Sequence, residues 1–326
     1  MLLEVNDLRV SYHTDEGVVR AVDGITLSLD RRETLAVVGE SGSGKSTLAL
    51  AVIGLLPKTA RVEGSIRFLD RELTTLREEE FRRLRGDRIT IVFQEPMTAL
   101  NPVFTIGRFM RDIYLTHREG SEEEALSLAR EWLSKVKVPG PEKVLNSYPH
   151  ELSGGMRQRV LIASSLMLEP DLVIMDEPTS ALDVSVQAQI LRLIAELKSQ
   201  VDASFIFITH NLGVAAAVGD RVAVMYAGKV VETASKREIF SNPLHPYTKG
   251  LLKAVPKVSG GEVEPIPGTV PSLVNPPSGC RFHPRCPLAD GRCAEEEPAL
   301  TEVEPGHWVA CHRVSGMGSG PGTGGE

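Results

Sequence analysis

A glycine-rich segment set between a buried strand and a helix restricts this chain more than any other feature. Residues 39–47 read Gly39-Glu40-Ser41-Gly42-Ser43-Gly44-Lys45-Ser46-Thr47: a glycine, four further residues, then Gly-Lys-Ser. Upstream, residues 34–38 form an apolar run rich in β-branched side chains, which suits a strand covered on both faces, and downstream residues 46–56 predict a helix. Strand, glycine loop and helix in that order make a phosphate cradle. The glycines let successive backbone N–H groups turn inward, and the helix start adds positive potential. In this pattern Lys45 pairs with the β- and γ-phosphates and Ser46 reaches Mg²⁺, so the expected ligand is ATP with Mg²⁺. A glycine turn without a ligand would leave Lys45 at a buried helix start with no counter-charge.

A second apolar run, residues 172–175, ends in adjacent carboxylates, Asp176 and Glu177. A buried strand tolerates that ending where a cation waits. Mg²⁺ supplies one, with Asp176 holding it through water and Glu177 placed to polarise an attacking water. Residues 204–209 read as another buried strand, and a helix over 184–199 joins the two, so the sheet is predicted to be mainly parallel with crossover helices. Residues 3–10 and 25–29 alternate apolar and polar around an Asp15-Glu16-Gly17 turn, as a small antiparallel layer does. Residues 96–160 read as mainly helical, with Ser121-Glu-Glu-Glu capping a helix over 125–136. The fold class is therefore α/β: a P-loop NTPase core, an antiparallel β-subdomain and a helical subdomain. From Ser241 onward prolines are frequent, which predicts a loop-rich extension rather than more sheet, and the glycine- and serine-rich residues 314–326 predict a disordered tail.

Bulk properties narrow the partners. A formal net charge of −7 argues against a nucleic-acid surface. The first residues carry no basic segment followed by a long apolar run, so a cytosolic location is expected. The longest mostly apolar stretch, residues 48–56, is far short of the ~20 residues a spanning helix needs, so membrane contact has to go through other chains.

About a dozen residues before the carboxylate strand lies Leu152-Ser153-Gly154-Gly155-Met156-Arg157-Gln158-Arg159. Here the chain resembles the signature of ATP-binding-cassette (ABC) proteins, which general P-loop ATPases lack. The resemblance covers roughly residues 1–240 as the cassette. It implies that Ser153, Gly154 and Gly155 close over the γ-phosphate bound by an opposing cassette, an anion site at a helix start that dimer closure completes. It also implies that Gln94, after a strand over 89–93, is the Q-loop glutamine touching Mg²⁺ and water. By the same match His210 is the switch histidine holding Glu177, Asp183 in Ser180-Ala-Leu-Asp183 belongs to the D-loop, and Tyr12 stacks on adenine. Met156 departs from the commoner glutamine. Met156, residues 94–102 (Gln-Glu-Pro-Met-Thr-Ala-Leu-Asn-Pro) and residues 242–252 (Asn-Pro-Leu-His-Pro-Tyr-Thr-Lys-Gly-Leu-Leu) resemble the oligopeptide and dipeptide importer branch.

That resemblance implies an ATP-hydrolysing importer subunit at the cytoplasmic face of the membrane. Its implied partners are two transmembrane permease subunits, a second and often non-identical cassette, and, indirectly, an extracytoplasmic substrate-binding protein. Peptides are the expected cargo, with nickel or oligosaccharides as the alternative. A soluble cassette acting on ribosomes or DNA would call for fused cassettes or a coiled-coil insertion, and neither is present; a sensor with a dead nucleotide site would lack Glu177 and His210.

All four cysteines, Cys280, Cys286, Cys293 and Cys311, fall within residues 241–313. In a reducing cytosol such a cluster points to a metal or iron–sulfur site rather than disulfides. Four thiolates suit a [4Fe–4S] cluster or a Cys₄ zinc site, and spacing alone does not choose. The segment resembles the extension of peptide-importer ATPases, some of which carry a [4Fe–4S] cluster on four cysteines, so the resemblance implies the cluster, with Zn²⁺ as the alternative. His283, His307 and His312 lie near and are expected to be outer or exposed groups.

Overall fold

A computed structural model describes residues 1–255 and 264–314, and these described residues form twelve strands in two sheets. They are β1 (Leu3–Thr14), β2 (Gly17–Leu29), β3 (Thr34–Val38), β4 (Ala60–Phe68), β5 (Arg71–Glu72), β6 (Ile89–Val92), β7 (Leu172–Asp176), β8 (Ser204–Thr209), β9 (Arg221–Tyr226), β10 (Lys229–Ser235), β11 (Thr301–Glu304) and β12 (His307–Val309). An antiparallel sheet runs β2-β1-β4-β5, and a mixed sheet runs β11-β12-β10-β9-β3-β8-β7-β6. The stretch from β6 to β9 is parallel throughout, whereas β10, β12 and β11 add on antiparallel. The tail predicted over 314–326 lies, apart from Val314, outside the described residues.

The parallel strands read as unbroken apolar runs because both faces are covered, and period-two alternation decides which core each side chain enters. Val173, Met175, Phe205 and Phe207 face the helical layer, whereas Leu172, Ile174, Ile206 and Ile208 pack with Leu3, Val5 and Ile25 of the antiparallel sheet. Ser121 and Glu124 form the expected capping box on the helix Glu122–Lys135. The helical region extends past residue 160, since the helix Gly154–Leu166 runs on into the core beside β6 and β7. The helix after the glycine loop, Lys45–Val52, is shorter than its apolar pattern predicts. It ends in a Schellman turn at Gly54 (φ 65°), where Leu55 N–H donates to Leu50 O (2.8 Å) and Gly54 N–H to Ala51 O (3.2 Å).

The proline-rich region corrects the expectation of a sheet-free extension. Beyond Pro298 the chain alternates again and turns at Gly306 (φ 74°), and β12 pairs with β10, so the last strands widen the main sheet. Periodicity over so short a hairpin is too brief to stand out from its proline-rich surroundings. Tyr247 and Phe282 enter the same core as Ala36, Val38, Val222 and Tyr226. Among the described residues no helix is long and apolar enough to cross a membrane.

Phe282 stands edge-on to Tyr226 at 5.2 Å and packs against Tyr247 at 5.3 Å, inside this shared core. Phe282→Ala is expected to destabilise the chain by about 3–5 kcal/mol, measured by denaturant unfolding, and a loss under 1 kcal/mol would mean that the two parts do not share a core.

Candidate functional site

The parallel strands bring one end of each to a common edge. Val38 of β3 is registered with Thr209 of β8, Asp176 of β7 with Ile208, and Val92 of β6 with Met175. The glycine loop, His210, the Asp176–Glu177 pair and Gln94 therefore leave the sheet side by side although they are far apart along the chain. Gln94 sits in the exposed bend after β6, which ends at Val92 rather than Phe93.

Close packing dictates the loop's glycines. A Cβ at Gly39 would stand 2.1 Å from Met225 O, and one at Gly44, which adopts φ 96°, 2.1 Å from Ala21 O. Gly42 also has positive φ (78°), and a Cβ there would meet nothing within 4 Å, so the path of the backbone and the room above it matter at this position. Ser43 is buried while Ser41 and Ser46 are exposed at the loop. Lys45 is only 5% exposed, and its ammonium donates to Gly39 O (2.8 Å) and Glu40 O (2.9 Å). Burial lowers its pKa, opposed by Glu177, Asp176 and Glu40. Tyr12 of β1 places its hydroxyl 3.3 Å from Thr47 Oγ1, beside the loop.

Asp176 is 8% exposed, and its Oδ1 is buried with no hydrogen-bond partner. Burial raises its pKa, while a hydrogen bond from Ser46 lowers it. An orphaned carboxylate oxygen beside a serine hydroxyl is a donor set that fits Mg²⁺. Glu177 adopts φ 47° and is tied to the sheet by its N–H to Ile208 O (3.0 Å). Its Oε2 lies 3.0 Å from His210 Nδ1, so the two side chains are already paired.

Ser153 caps the helix Gly154–Leu166, accepting from Met156 N–H at 3.3 Å. A Cβ at Gly155 would meet Val186 Cγ1 at 2.8 Å and one at Gly154 Leu182 Cδ2 at 3.3 Å. Asp183 caps the helix Val184–Lys198 through Val186 N–H (3.0 Å), and hydrogen bonds from Ser185 and Val186 hold its carboxyl below the usual range. Among the described residues, no hydrogen bond or ion pair joins Ser153, Gly154, Gly155 or Asp183 to the glycine loop, Asp176, Glu177 or His210. The structure thus brings one set of these residues together and leaves the other apart.

Cys280, Cys286, Cys293 and Cys311 line one enclosed pocket with His245, Phe282, His283 and His312. Burial pushes the Cys280 thiol up to about 11, and burial likewise raises Cys286 and Cys311. Backbone N–H groups of Phe282, Leu288 and Arg313 point at the sulfurs of Cys280, Cys286 and Cys311 and oppose that rise. Buried (Cys293, Cys311) and half-buried (Cys280, Cys286) thiols lining one pocket, with amides aimed at three of them, are a donor set that fits a cation-bearing centre. Among the described residues the cysteine sulfurs form no group of three lying within 4.8 Å of one another. Four sulfurs each about 2.3 Å from one zinc would be about 3.8 Å apart.

A contact that no sequence motif signals ties the two regions together. Arg285, beside Cys286 and only 5% exposed at its side chain, grips Glu40 of the glycine loop with both Nη1 (2.8 Å) and Nη2 (3.1 Å). Tyr247 Oη accepts the Glu40 N–H (3.0 Å), and Tyr226 Oη lies 3.3 Å from Arg285 Nη1. Glu40 occupies a motif position open to any residue, and Arg285 lies 245 residues further on, so nothing local marks the pair.

Comparison with known proteins gives the chain's relatives. Residues 22–180 match the ABC transporter family, and residues 231–293 match the oligopeptide/dipeptide transporter C-terminal region. A probable peptide ABC transporter ATP-binding protein of Sinorhizobium fredii is 49% identical over 318 residues, covering 96% of this chain and 95% of that protein. The oligopeptide transport ATP-binding protein OppD of Salmonella typhimurium is 47% identical, covering 96% of this chain and 94% of its own length. The dipeptide transport ATP-binding protein DppD of Bacillus subtilis is 48% identical, covering 95% and 94%. Among solved structures, a dimeric ATP-binding cassette in a post-hydrolysis state with ADP and phosphate superposes with a TM-score of 0.65 at 28% identity. It covers 72% of this chain and 99% of that one.

The Arg285–Glu40 pair generates a stability prediction. A double-mutant cycle of Glu40→Gln and Arg285→Gln is expected to show a coupling of about 1–3 kcal/mol in denaturant unfolding, and additive losses would mean that the contact contributes nothing.

Proposed function

Since the chain belongs to the ABC transporter family of ATP-binding proteins, on its oligopeptide and dipeptide branch, we propose that it hydrolyses ATP to power a peptide importer. The observation that carries this reading is the meeting of Lys45, Asp176, Glu177 and His210 at one sheet edge. The glycine loop's amides and Lys45 bind the phosphates, and Ser46 with Asp176 would hold Mg²⁺, which when bound neutralises charge on the phosphates. Glu177 accepts a proton from the attacking water. His210, paired to Glu177 through Nδ1, fixes the carboxylate's direction. Gln94, in the exposed bend after β6 at the same sheet edge, would reach Mg²⁺ and water, and Tyr12 offers an aromatic face beside Thr47 for the base.

Ser153, Gly154, Gly155 and Asp183 have no bond to that site within the described residues, which supports a role across a cassette dimer. There the Gly154–Leu166 helix start would meet the partner's nucleotide. The helical residues 96–160 form the surface on this reading that passes closure to two permease chains at the inner face of the membrane, with residues 241–313 as a packed extension. The four cysteines, which line one pocket, would hold a [4Fe–4S] cluster, with one zinc as the alternative.

Glu177→Gln is expected to retain ATP binding while hydrolysis falls about 10²–10⁴-fold, read as phosphate release against nucleotide binding; unchanged turnover would remove the base assignment. Protein purified without oxygen is expected to contain about four irons and four sulfides per chain. One zinc per chain instead would overturn the cluster.

A further inference from the structure

Away from both sites, a buried histidine has one ring nitrogen unused. His307 in β12 is fully buried, and its Nε2 lies 2.7 Å from Oε1 of Glu232 in β10, a carboxylate that is itself fully buried. The same carboxylate accepts the N–H groups of Leu244 (2.7 Å) and His245 (3.0 Å). Glu232 thus acts as an acceptor towards every neighbour, so Nε2 carries a hydrogen, and in the neutral ring Nδ1 presents a lone pair. That Nδ1 has no hydrogen-bond partner. It faces Oε2 of Glu304 at 4.0 Å, beyond hydrogen-bond reach.

Glu238, on the helix Lys236–Ser241, completes the surroundings: ligand atoms of Glu238, Glu304 and His307 all lie within 4.8 Å of one another. Ligands about 2.0–2.2 Å from one ion are separated by at most about 4.4 Å, so small side-chain movements bring all three onto a single ion. Three carboxylates, Glu232, Glu238 and Glu304, surround one imidazole. Among the described residues no lysine or arginine forms an ion pair with any of them, and the Asn242 amide donates a long bond (3.4 Å) to Glu304 without adding charge. Charge, spacing and the orphaned nitrogen all ask for a cation at the same point.

We propose that His307 Nδ1 and the carboxylates of Glu238 and Glu304 bind one divalent transition-metal ion of the zinc class. Imidazole with two carboxylates suits such borderline ions better than Mg²⁺ or Ca²⁺, which take all-oxygen sets. Glu232 holds the imidazole from its far side, the carboxylate–histidine–metal arrangement that fixes tautomer and ring direction. Glu304 is exposed and Glu238 half-buried, so the site opens to solvent and leaves room for water as a further ligand. The ion joins the β11–β12 hairpin to the helix after β10 and so clamps the strand that precedes Cys311 onto the main sheet. It is separate from the cysteine pocket and contains no sulfur.

Cobalt(II) added to the full chain, purified without oxygen, tests this directly. One ion per chain is expected with visible absorption of nitrogen and oxygen ligation and without thiolate-to-cobalt charge transfer, accompanied by a rise in melting temperature. The Glu238→Gln/Glu304→Gln double variant changes one exposed and one half-buried side chain; it is expected to weaken that binding at least tenfold and to lose the thermal shift, with any absorption from the cysteine pocket the same as in the unaltered chain. Equal cobalt affinity in the variant would overturn the site, as would absorption of thiolate type alone. A nitrogen NMR spectrum showing both ring nitrogens of His307 protonated at neutral pH in the metal-free chain would overturn it too, because the orphaned atom would then be a donor paired electrostatically with Glu304.

Discussion

A buried ammonium has to be matched, and the matching of Lys45 organises much of this molecule. Its side chain lies beneath the glycine loop, donating to the carbonyls of Gly39 and Glu40 and facing the charges of Asp176 and Glu177. Those carboxylates reach it only because β7 and β3 flank β8 in a parallel array with their ends aligned. Burial penalises charge at both Lys45 and Asp176, so each depends on opposite charge at the same edge. Phosphate and Mg²⁺ chemistry follows from that arrangement.

The region after β10 is bound into this system rather than appended to it. Arg285 grips Glu40 inside the glycine loop, and Arg281 is buried between Asp23 of β2 and the carbonyl of Ala227. Both arginines sit next to cysteines of the enclosed pocket: Arg281 comes after Cys280, and Arg285 before Cys286. Of the two, Arg285 touches the nucleotide loop, through Glu40, whereas Arg281 ties its cysteine's neighbourhood to β2 and to the turn after β9. Guanidinium suits this task because its planar fork meets a carboxylate with two parallel bonds, which resists rotation as well as separation.

Much of the fold could be read locally. The run 34–38, the loop glycines and the Ser121 capping box each obey rules that act over a few residues: backbone φ, side-chain period and cap geometry. Features that depend on longer range are less legible. The β11–β12 hairpin hides among prolines because its strands are short and draw their stability from β10. The early end of the first helix at Gly54 is masked by the apolar residues beyond it, although a glycine at that point is itself a stop signal.

By itself, then, the sequence determined the chemistry available: a lysine and glycines shaped for phosphate, two carboxylates closing a buried strand, a histidine ending another and four clustered thiols. Tertiary structure alone decided which of these meet. It set Glu177 against His210, left Ser153 and Asp183 as helix caps apart from the nucleotide loop, and joined Glu40 to Arg285 and Glu232 to His307. The physical reason is range. Backbone preferences are properties of neighbours in the chain, whereas a charge pair or a buried hydrogen bond depends on strand order and on the exclusion of water, and both arise only when the whole core closes.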